Sequence, residues 1–264
     1  MRYHAITLDI NDGIAVLTFN LPANRNSLTL ELQAEFLDAL TRLRQCEEAG
    51  ALVVTGAGHS FCSGADLREL SAIKGHTLGE LGASMMERLT NPMITGLQNL
   101  PIPVVAAVNG AAAGAGASIA LAADIVVAGH SAYFVATFLP RLGIVPDLGA
   151  SWFLPRNMGR ARSLGMVLLG ERLPAARAQL WGLIWDCVAD ECVLDEAIAI
   201  ARRLAKAPAH AALEARRAFD AADRNSLAGQ LDYEKERQRE LLDRPTFKEG
   251  VAAFIAKREP LFSR

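Results

Sequence analysis

The 264-residue sequence lacks the features that mark several large classes of protein. Its formal net charge of -2 leaves no basic excess of the kind that nucleic-acid binding requires. With 51% hydrophobic and 21% charged residues, the chain is too apolar to be disordered. A chain of this length can bury a large core without disulfides or a metal. We therefore expect a globular protein with no nucleic-acid partner.

Cysteine pairs and metal-ligand spacings are also missing. The four cysteines form no C-x-x-C pair, and no histidine lies at ligand spacing beside them. They are Cys46, Cys62, Cys187 and Cys192. This pattern indicates reduced thiols in a cytoplasmic protein without a metal site.

Charged residues are absent from one long stretch, between Arg88 and Asp124. A helix that spans a membrane needs ~20 uninterrupted apolar residues. This stretch is interrupted by Pro92, Pro101 and Pro103, and the amino terminus has no signal-peptide apolar core. A buried strand followed by a buried helix explains the segment better, and we expect no membrane association.

Apolar strands alternate with helical segments in the first part of the chain. Residues 51–55, 104–108 and 125–128 are predicted strands, with helical periodicity before and between them. This alternation predicts parallel βαβ units, hence an α/β fold that binds its ligand at the carboxyl ends of the strands.

The last third of the chain is predicted to be helical. From about residue 160 the only notable strand is at residues 185–188, and Thr246 to Glu249 form a capping box that is expected to open the last helix. We divide the chain into a core, residues 1–195, and a helical region, residues 196–264.

Two loops share one design, in which a strand leads through small residues into a helix. They are residues 64–66 (GAD) and 114–116 (GAG). Small residues permit close helix–strand packing, and they equally permit a ligand to approach free N–H groups that would form an oxyanion hole. Neither loop matches a phosphate-binding or dinucleotide-binding glycine motif.

Four segments resemble the crotonase family, in the family's order and over nearly the whole chain. They are residues 60–67 (SFCSGADL), 103–116 (PVVAAVNGAAAGAG), 122–128 (AADIVVA) and 254–262 (FIAKREPLF). The resemblance implies a crotonase-like spiral of ββα units and an acyl-coenzyme A substrate, with no separate cofactor. It also implies carboxyl-terminal helices that mediate trimerisation and cover the active site, in a homotrimer or homohexamer.

The resemblance also assigns site residues by position. The N–H groups of Ala65 and Ala115 would form the oxyanion hole for the thioester carbonyl. The residues expected to meet coenzyme A are Arg25, Ala65, Asp66, Leu67 and Arg68. Arg25 is equally well explained as an ordinary loop arginine, and Lys257, a further candidate for a phosphate contact, is better explained as a solvated helix residue.

The acidic residues distinguish among crotonase reactions. Hydratases of the family use two glutamates, which would fall at Ser118 and near Leu139 here, so both are missing. Between Glu87 and Asp147 the only acid is Asp124, in a position that looks structural.

By its turn chemistry Asp147 would be an ordinary turn residue. Its surroundings, however, resemble those of the aspartate base of dienoyl-CoA isomerases and of the epoxyphenylacetyl-CoA isomerases of phenylacetate breakdown. The resemblance therefore implies an isomerase with Asp147 as its single base. An apolar pocket near Phe134, Phe138 and Leu139 would raise the pKa of this carboxyl group.

Several alternatives remain at this point. A hydratase could recruit Glu80 or Glu87, and the protein could be a non-catalytic acyl-CoA-binding subunit. Ser118 either orients the substrate or bonds to a backbone carbonyl, and helical serines favour the second role. His59 and His130 are interpreted as surface residues. The acyl pocket is expected at residues 70–90 and 134–140, whose side chains fit several acyl groups.

Overall fold

The strands of the computed structural model lie in two sheets. The model describes residues 3–72 and 77–262, so residues 73–76 of the predicted acyl pocket and the two chain ends lie outside the described residues. The strands, in chain order, are β1 (Ile6–Asn11), β2 (Ile14–Phe19), β3 (Ala51–Gly56), β4 (Ser60–Cys62), β5 (Val104–Val108), β6 (Ala111–Ala113), β7 (Ile125–Gly129), β8 (Tyr133–Val135), β9 (Leu173–Pro174) and β10 (Asp186–Val188).

Helices follow most of the strands. They are α1 (Leu30–Gln45), α2 (Leu67–Ala72), α3 (Leu78–Met85), α4 (Asn91–Gln98), α5 (Ala115–Leu121), α6 (Ala150–Met158), α7 (Arg160–Leu169), α8 (Ala175–Leu180), α9 (Val193–Leu204), α10 (Ala211–Ala222), α11 (Leu227–Leu241) and α12 (Pro245–Ile255). Short 3-10 turns occur at Pro22–Asn24 and Asp190–Cys192, and π-helical turns at Met86–Thr90 and Phe138–Leu142. Both π-helical turns overlap the segments predicted to line the acyl pocket, and such turns often occur at functional sites.

The chain begins with a hairpin that sets the edge of the larger sheet. β1 and β2 pair antiparallel, and the two-residue turn between them has positive φ at Asp12 and Gly13, as tight hairpins favour. The larger sheet continues in the order β1-β2-β3-β5-β7-β10, and every pair after the first is parallel.

The smaller sheet has the order β4-β6-β8-β9. β3, β5 and β7 each lie in the larger sheet, and each is followed directly by a strand of the smaller sheet. This repeat is the ββα unit that the crotonase resemblance implies, and the predicted α/β class is confirmed. Because β4 and β6 are parallel neighbours, the loops that follow them leave the same edge of the sheet.

Two local features differ from what the sequence indicates. Residues 60–62 and 111–113 form the short strands β4 and β6, which were not among the predicted strands because three residues are too few to show an alternation. The predicted capping box at Thr246 is wrong. α12 begins at Pro245 with Arg244 as its N-cap residue and no side-chain cap, since proline suits the first helical position.

α9 packs against the larger sheet. Its buried residues Val193, Ala197 and Ile200 belong to a cluster that includes Val53 and Val105. The proposed division at residue 195 therefore falls inside a helix that contacts the core sheet.

Helices α10 and α11 contain no residue in the buried class, and α12 contributes only Ala253. Large apolar side chains stay exposed on these helices, among them Phe219, Leu227 and Phe254. Such surfaces fit the expected trimer, which stays a prediction. Within the described ranges, no helix has the length and apolar character needed to cross a membrane.

Arg216 joins α10 to the core. Its guanidinium forms an ion pair with Asp124, with 2.6 Å between Nε and Oδ1, and donates to the carbonyls of Gln98, Leu100 and Ile102. Asp124 also accepts the N–H of Val104 at 2.7 Å. The acid that looked structural in the sequence thus fastens the carboxyl-terminal layer to the start of β5.

We expect Arg216→Ala to destabilise the protein by about 3–5 kcal/mol, because it leaves Asp124 without its cationic partner and three carbonyls without the guanidinium donor. The Arg216 side chain is 9% exposed, whereas that of its neighbour Arg217 is 58% exposed. Arg217→Ala is the matched control and should cost less than about 1 kcal/mol. Urea denaturation of both variants measures the difference, and equal losses would contradict the anchoring role.

Candidate active site

The two small-residue loops meet at the edge of the smaller sheet. Gly64, after β4, has a φ of +90°, and a Cβ placed on it would lie 2.8 Å from the Ala113 carbonyl oxygen and 3.5 Å from the Ala115 nitrogen. A Cβ on Gly116 would lie 2.2 Å from the Cys62 oxygen. The loops therefore approach so closely that only glycine fits at these two positions.

Each of the two loops carries one backbone donor without an acceptor among the described residues. Leu28 pairs with the first loop through the Gly64 carbonyl and the Asp66 N–H, so the N–H of Ala65 takes no part in that bridge. Ala115 is the first residue of α5, where an N–H has no acceptor within the helix. Neither N–H donates to any group in the described part of the chain. Two free donors on adjacent loops are the elements of an oxyanion hole.

Asp66 fixes the first of the two loops, residues 64–66, by capping α2. Its Oδ1 accepts the N–H groups of Arg68 and Glu69 at 3.1 and 3.2 Å, and its Oδ2 accepts the Ser27 hydroxyl at 3.0 Å. Burial raises the pKa of Asp66, but the hydrogen bonds from Glu69, Ser27 and Arg68 outweigh this effect and lower the pKa below its ordinary value. The carboxylate is thus held ionised by the protein itself.

The other residues expected to meet coenzyme A lie around the same loop. The Arg25 carbonyl accepts the Ser63 N–H at 3.1 Å, while the Arg25 side chain is exposed. Leu67 and Arg68 are exposed at the start of α2. Lys257 is exposed after α12, where its backbone N–H donates to the Phe254 carbonyl.

Asn26 is a supporting residue that the sequence reasoning missed. It is fully buried, its Nδ2 donates to the carbonyls of Ala57 and Ser60, and its Oδ1 accepts the Leu21 N–H. These bonds hold the Arg25 turn against β4. The only sequence signal was an asparagine beside a turn, a residue that tolerates the positive φ of 55° seen here.

Asp147 lies in the turn before α6 and is half-buried. Its Oδ1 is buried without a hydrogen-bond partner among the described residues. Burial raises the pKa of the carboxyl to about 6, against the opposing effect of the residue's own backbone N–H. The pKa is therefore raised in the direction expected from the sequence, with burial as the cause, and a pKa near neutrality suits proton transfer.

The backbone around Asp147 is constrained. Leu148 has a φ of +46° although it is not glycine, and Gly149 follows with +80°. A bulky residue in this region is strained, and such strain persists only where the surroundings hold it. The Asp147 carbonyl accepts the Ala150 N–H at 2.9 Å and the Ser118 hydroxyl at 3.1 Å. Ser118 thus bonds to a backbone carbonyl, as its helical position favoured, and the carbonyl is that of Asp147.

The other acids considered in the sequence analysis either bond to other groups of the protein or are exposed to solvent. Asp124 is paired with Arg216, Glu80 closes a capping box with Thr77, and Glu87 is exposed. His59 and His130 are exposed, as interpreted from the sequence. No group of His, Cys, Asp and Glu side chains within the described ranges could hold a metal ion.

Phe138 lies beside the second loop, since a Cβ on Gly114 would be 3.9 Å from its ring. Phe134 and Phe138 are buried, whereas Leu139 is partly exposed. An apolar ring therefore lies next to the residue that precedes the Ala115 donor.

Asp147→Asn should stabilise the protein above pH 6. The carboxyl group has a pKa of about 6 when folded and an ordinary value of 3.8, so its contribution to stability is complete below pH 3.8 and is lost as the pH rises through 6. A difference of about two pH units corresponds to ~3 kcal/mol. Urea denaturation should show the variant more stable by up to that amount at pH 8 and equal to the wild type near pH 3.5. A gain that does not change with pH would contradict the burial argument.

Comparisons with known proteins agree with this arrangement. The family model described as "Enoyl-CoA hydratase/isomerase" matches residues 9–264. The chain is 42% identical over 254 residues to the 1,2-epoxyphenylacetyl-CoA isomerase of Escherichia coli, covering 96% of each chain. It is also 42% identical over 263 residues to a probable enoyl-CoA hydratase of Rhodobacter capsulatus, covering 100% of this chain and 99% of that one.

Solved structures share the fold. The crystal structure of an enoyl-CoA hydratase from Polaromonas sp. JS666 has a TM-score of 0.92 and 34% sequence identity, covering 98% of this chain and 100% of that one. This similarity confirms the predicted crotonase-like fold. The chain is an enzyme of the enoyl-CoA hydratase/isomerase family, within the crotonase superfamily.

Proposed function

We propose that this enzyme is an acyl-CoA isomerase in which Asp147 is the single proton-transferring base. The environment of the Asp147 carboxylate supports this proposal most directly. Its Oδ1 is buried and unpartnered, its pKa is raised to about 6, and its turn bonds to the helix that begins with the Ala115 N–H. The other acids considered near the loops, Asp124 and Glu80, are engaged elsewhere.

The free N–H groups of Ala65 and Ala115 bind the thioester oxygen in this proposal. Proton loss at the α-carbon places negative charge on that oxygen, and one preformed donor contributes about 3–4 kcal/mol to stabilising such a charge. The alanine side chains do not affect the backbone donors. The helix start at Ala115 adds a favourable dipole, since N-termini attract negative charge.

One carboxylate completes a double-bond shift. Asp147 takes the proton from C2 of a 3-enoyl thioester, and the electron pair delocalises over C2, C3, C4 and the thioester oxygen. The protonated Asp147 then returns the proton to C4, which leaves the double bond between C2 and C3. No water is consumed, so the absence of hydratase glutamates at Ser118 and Leu139 suits this reaction.

Arg25, Ala65, Leu67 and Arg68 are proposed to contact the coenzyme A moiety at the first loop. Arg25 and Arg68 have exposed side chains that suit phosphate groups. Asp66 holds the loop that presents these residues, because its carboxylate caps α2.

The E. coli relative, a 1,2-epoxyphenylacetyl-CoA isomerase, makes epoxyphenylacetyl-CoA a candidate substrate beside 3-enoyl-CoA. Hydration is the alternative, because the Rhodobacter relative is a probable enoyl-CoA hydratase. Hydration needs a group to activate water, and the Asp147 carboxylate alone would then have to serve both steps. We therefore favour isomerisation.

The decisive assay offers the enzyme a 3-enoyl-CoA, a 2-enoyl-CoA and epoxyphenylacetyl-CoA, and follows products by mass and ultraviolet absorbance. We expect isomerisation of the first or third without a gain of 18 mass units, the mass of one water. The rate should rise with pH through about 6 and then level off, because the base must be ionised.

Asp147→Asn should lower this rate by about 10²–10⁴-fold. Asp232→Asn is the matched control, since Asp232 is 76% exposed on α11, and it should keep full activity. Full activity in Asp147→Asn, or rapid water addition to the 2-enoyl-CoA, would overturn the proposal. Binding of every substrate without turnover would indicate a non-catalytic subunit instead.

Ala115→Pro tests the oxyanion hole. Proline removes the N–H yet suits the first position of a helix, so α5 should survive. We expect a loss of about 10²–10³-fold in kcat, with an unchanged circular dichroism spectrum. Wild-type kcat in this variant would exclude the Ala115 N–H as a donor to the reacting oxygen.

A further inference from the structure

Ser118 connects α5, which begins with the Ala115 N–H, to the turn that contains Asp147. Its side chain is completely buried in α5, and its hydroxyl lies 3.1 Å from the Asp147 carbonyl oxygen and 3.5 Å from that of Gly114. The shorter contact runs between segments 29 residues apart in the chain. Ser118 lies one helical turn after Ala115, whose N–H is one of the two free donors.

The position of the Asp147 carboxylate depends on its backbone. The buried Oδ1 accepts no hydrogen bond from any described residue, so no such bond fixes that oxygen. The following residue, Leu148, is buried and held at a φ of +46°. A strained turn of this kind relaxes unless its neighbours hold it, and the Ser118 hydroxyl is one of only two groups in the described chain that donate to the Asp147 carbonyl.

We infer that Ser118 is a positioning residue for the isomerase reaction, fixing the Asp147 carboxylate relative to the Ala115 N–H by tying the Asp147 turn to α5. This inference rests on the proposed function. It gives a role to the position where the family's hydratases have a glutamate: here a hydroxyl holds the only base instead of supplying a second acid.

The charges around Asp147 make its titration a usable readout. α5 carries no charged side chain. The charged residues on the segments before and after Asp147 are Arg141 and Arg156, and neither contributes to the raised pKa, which burial causes. If the turn relaxes toward solvent, the pKa of Asp147 falls toward its ordinary value, and the acidic limb of the kcat–pH profile moves to lower pH.

Ser118→Ala removes the hydroxyl and adds no bulk, while the Ala150 N–H still donates to the Asp147 carbonyl. The matched control is Ser163→Ala. Ser163 is a buried helical serine whose hydroxyl donates at 2.7 Å to the carbonyl four residues earlier, that of Gly159. The control removes a similar buried hydroxyl that does not contact the Asp147 turn.

We expect Ser118→Ala to lower kcat by about 10- to 100-fold, the scale of a small misplacement of a catalytic group. KM should stay unchanged, the acidic limb should move to lower pH, and Ser163→Ala should behave as wild type. In an Asp147→Asn background, Ser118→Ala should cause no further loss, because there is no base left to position.

Wild-type kcat and pH profile in Ser118→Ala would overturn the inference, as would an equal loss in both backgrounds or a change confined to KM. These outcomes are separable from a failure of the proposed function. Full activity in Asp147→Asn would refute the function itself, whereas an inactive Asp147→Asn with a fully active Ser118→Ala would refute only the role of Ser118.

Discussion

The parallel pairing of β4 with β6 is the constraint on which the site depends. It joins two three-residue strands whose following loops then leave the same sheet edge. Gly64 and Gly116 allow those loops to approach until their backbones are in contact. The small residues therefore serve close packing, and the same packing brings together the two loops that carry the Ala65 and Ala115 donors. The packing and ligand-binding explanations of these loops are two consequences of one contact.

The proposed role of Asp147 as a base and the stability of the folded protein place opposite demands on this residue. A carboxylate that is half-buried without a full set of partners has a raised pKa, which favours proton transfer and costs folding free energy above that pKa. The positive φ of Leu148 adds strain at the next residue. Two other acids of the chain have partners within the protein. Asp66 caps α2 through hydrogen bonds, and Asp124 forms an ion pair with Arg216. The contrast separates the proposed base, Asp147, from carboxylates with structural contacts.

Much of the fold was predictable from the sequence, because it is built largely from long segments in which apolar residues recur at regular spacing. The β1–β2 hairpin, the buried face of α1 and the apolar strands β3, β5 and β7 follow from period and turn chemistry. β4 and β6 did not, since a strand of three residues is too short to show a period. The hydrogen bonds that support the candidate site were equally impossible to predict from the sequence. No local pattern says that the Ser118 hydroxyl meets a carbonyl 29 residues later, or that Asn26 holds the Arg25 turn.

A serine at position 118, where the crotonase resemblance implies a glutamate in hydratases, changes more than the number of acids. A second carboxylate beside Asp147 would raise the pKa of one of the two, since like charges repel at short range. A buried hydroxyl adds no charge, so Asp147 keeps a pKa near 6 that burial alone explains. The hydroxyl can donate to a carbonyl, which a carboxylate cannot. In the proposed isomerase, Ser118 therefore takes away one means of activating water and supplies a bond that holds the Asp147 turn.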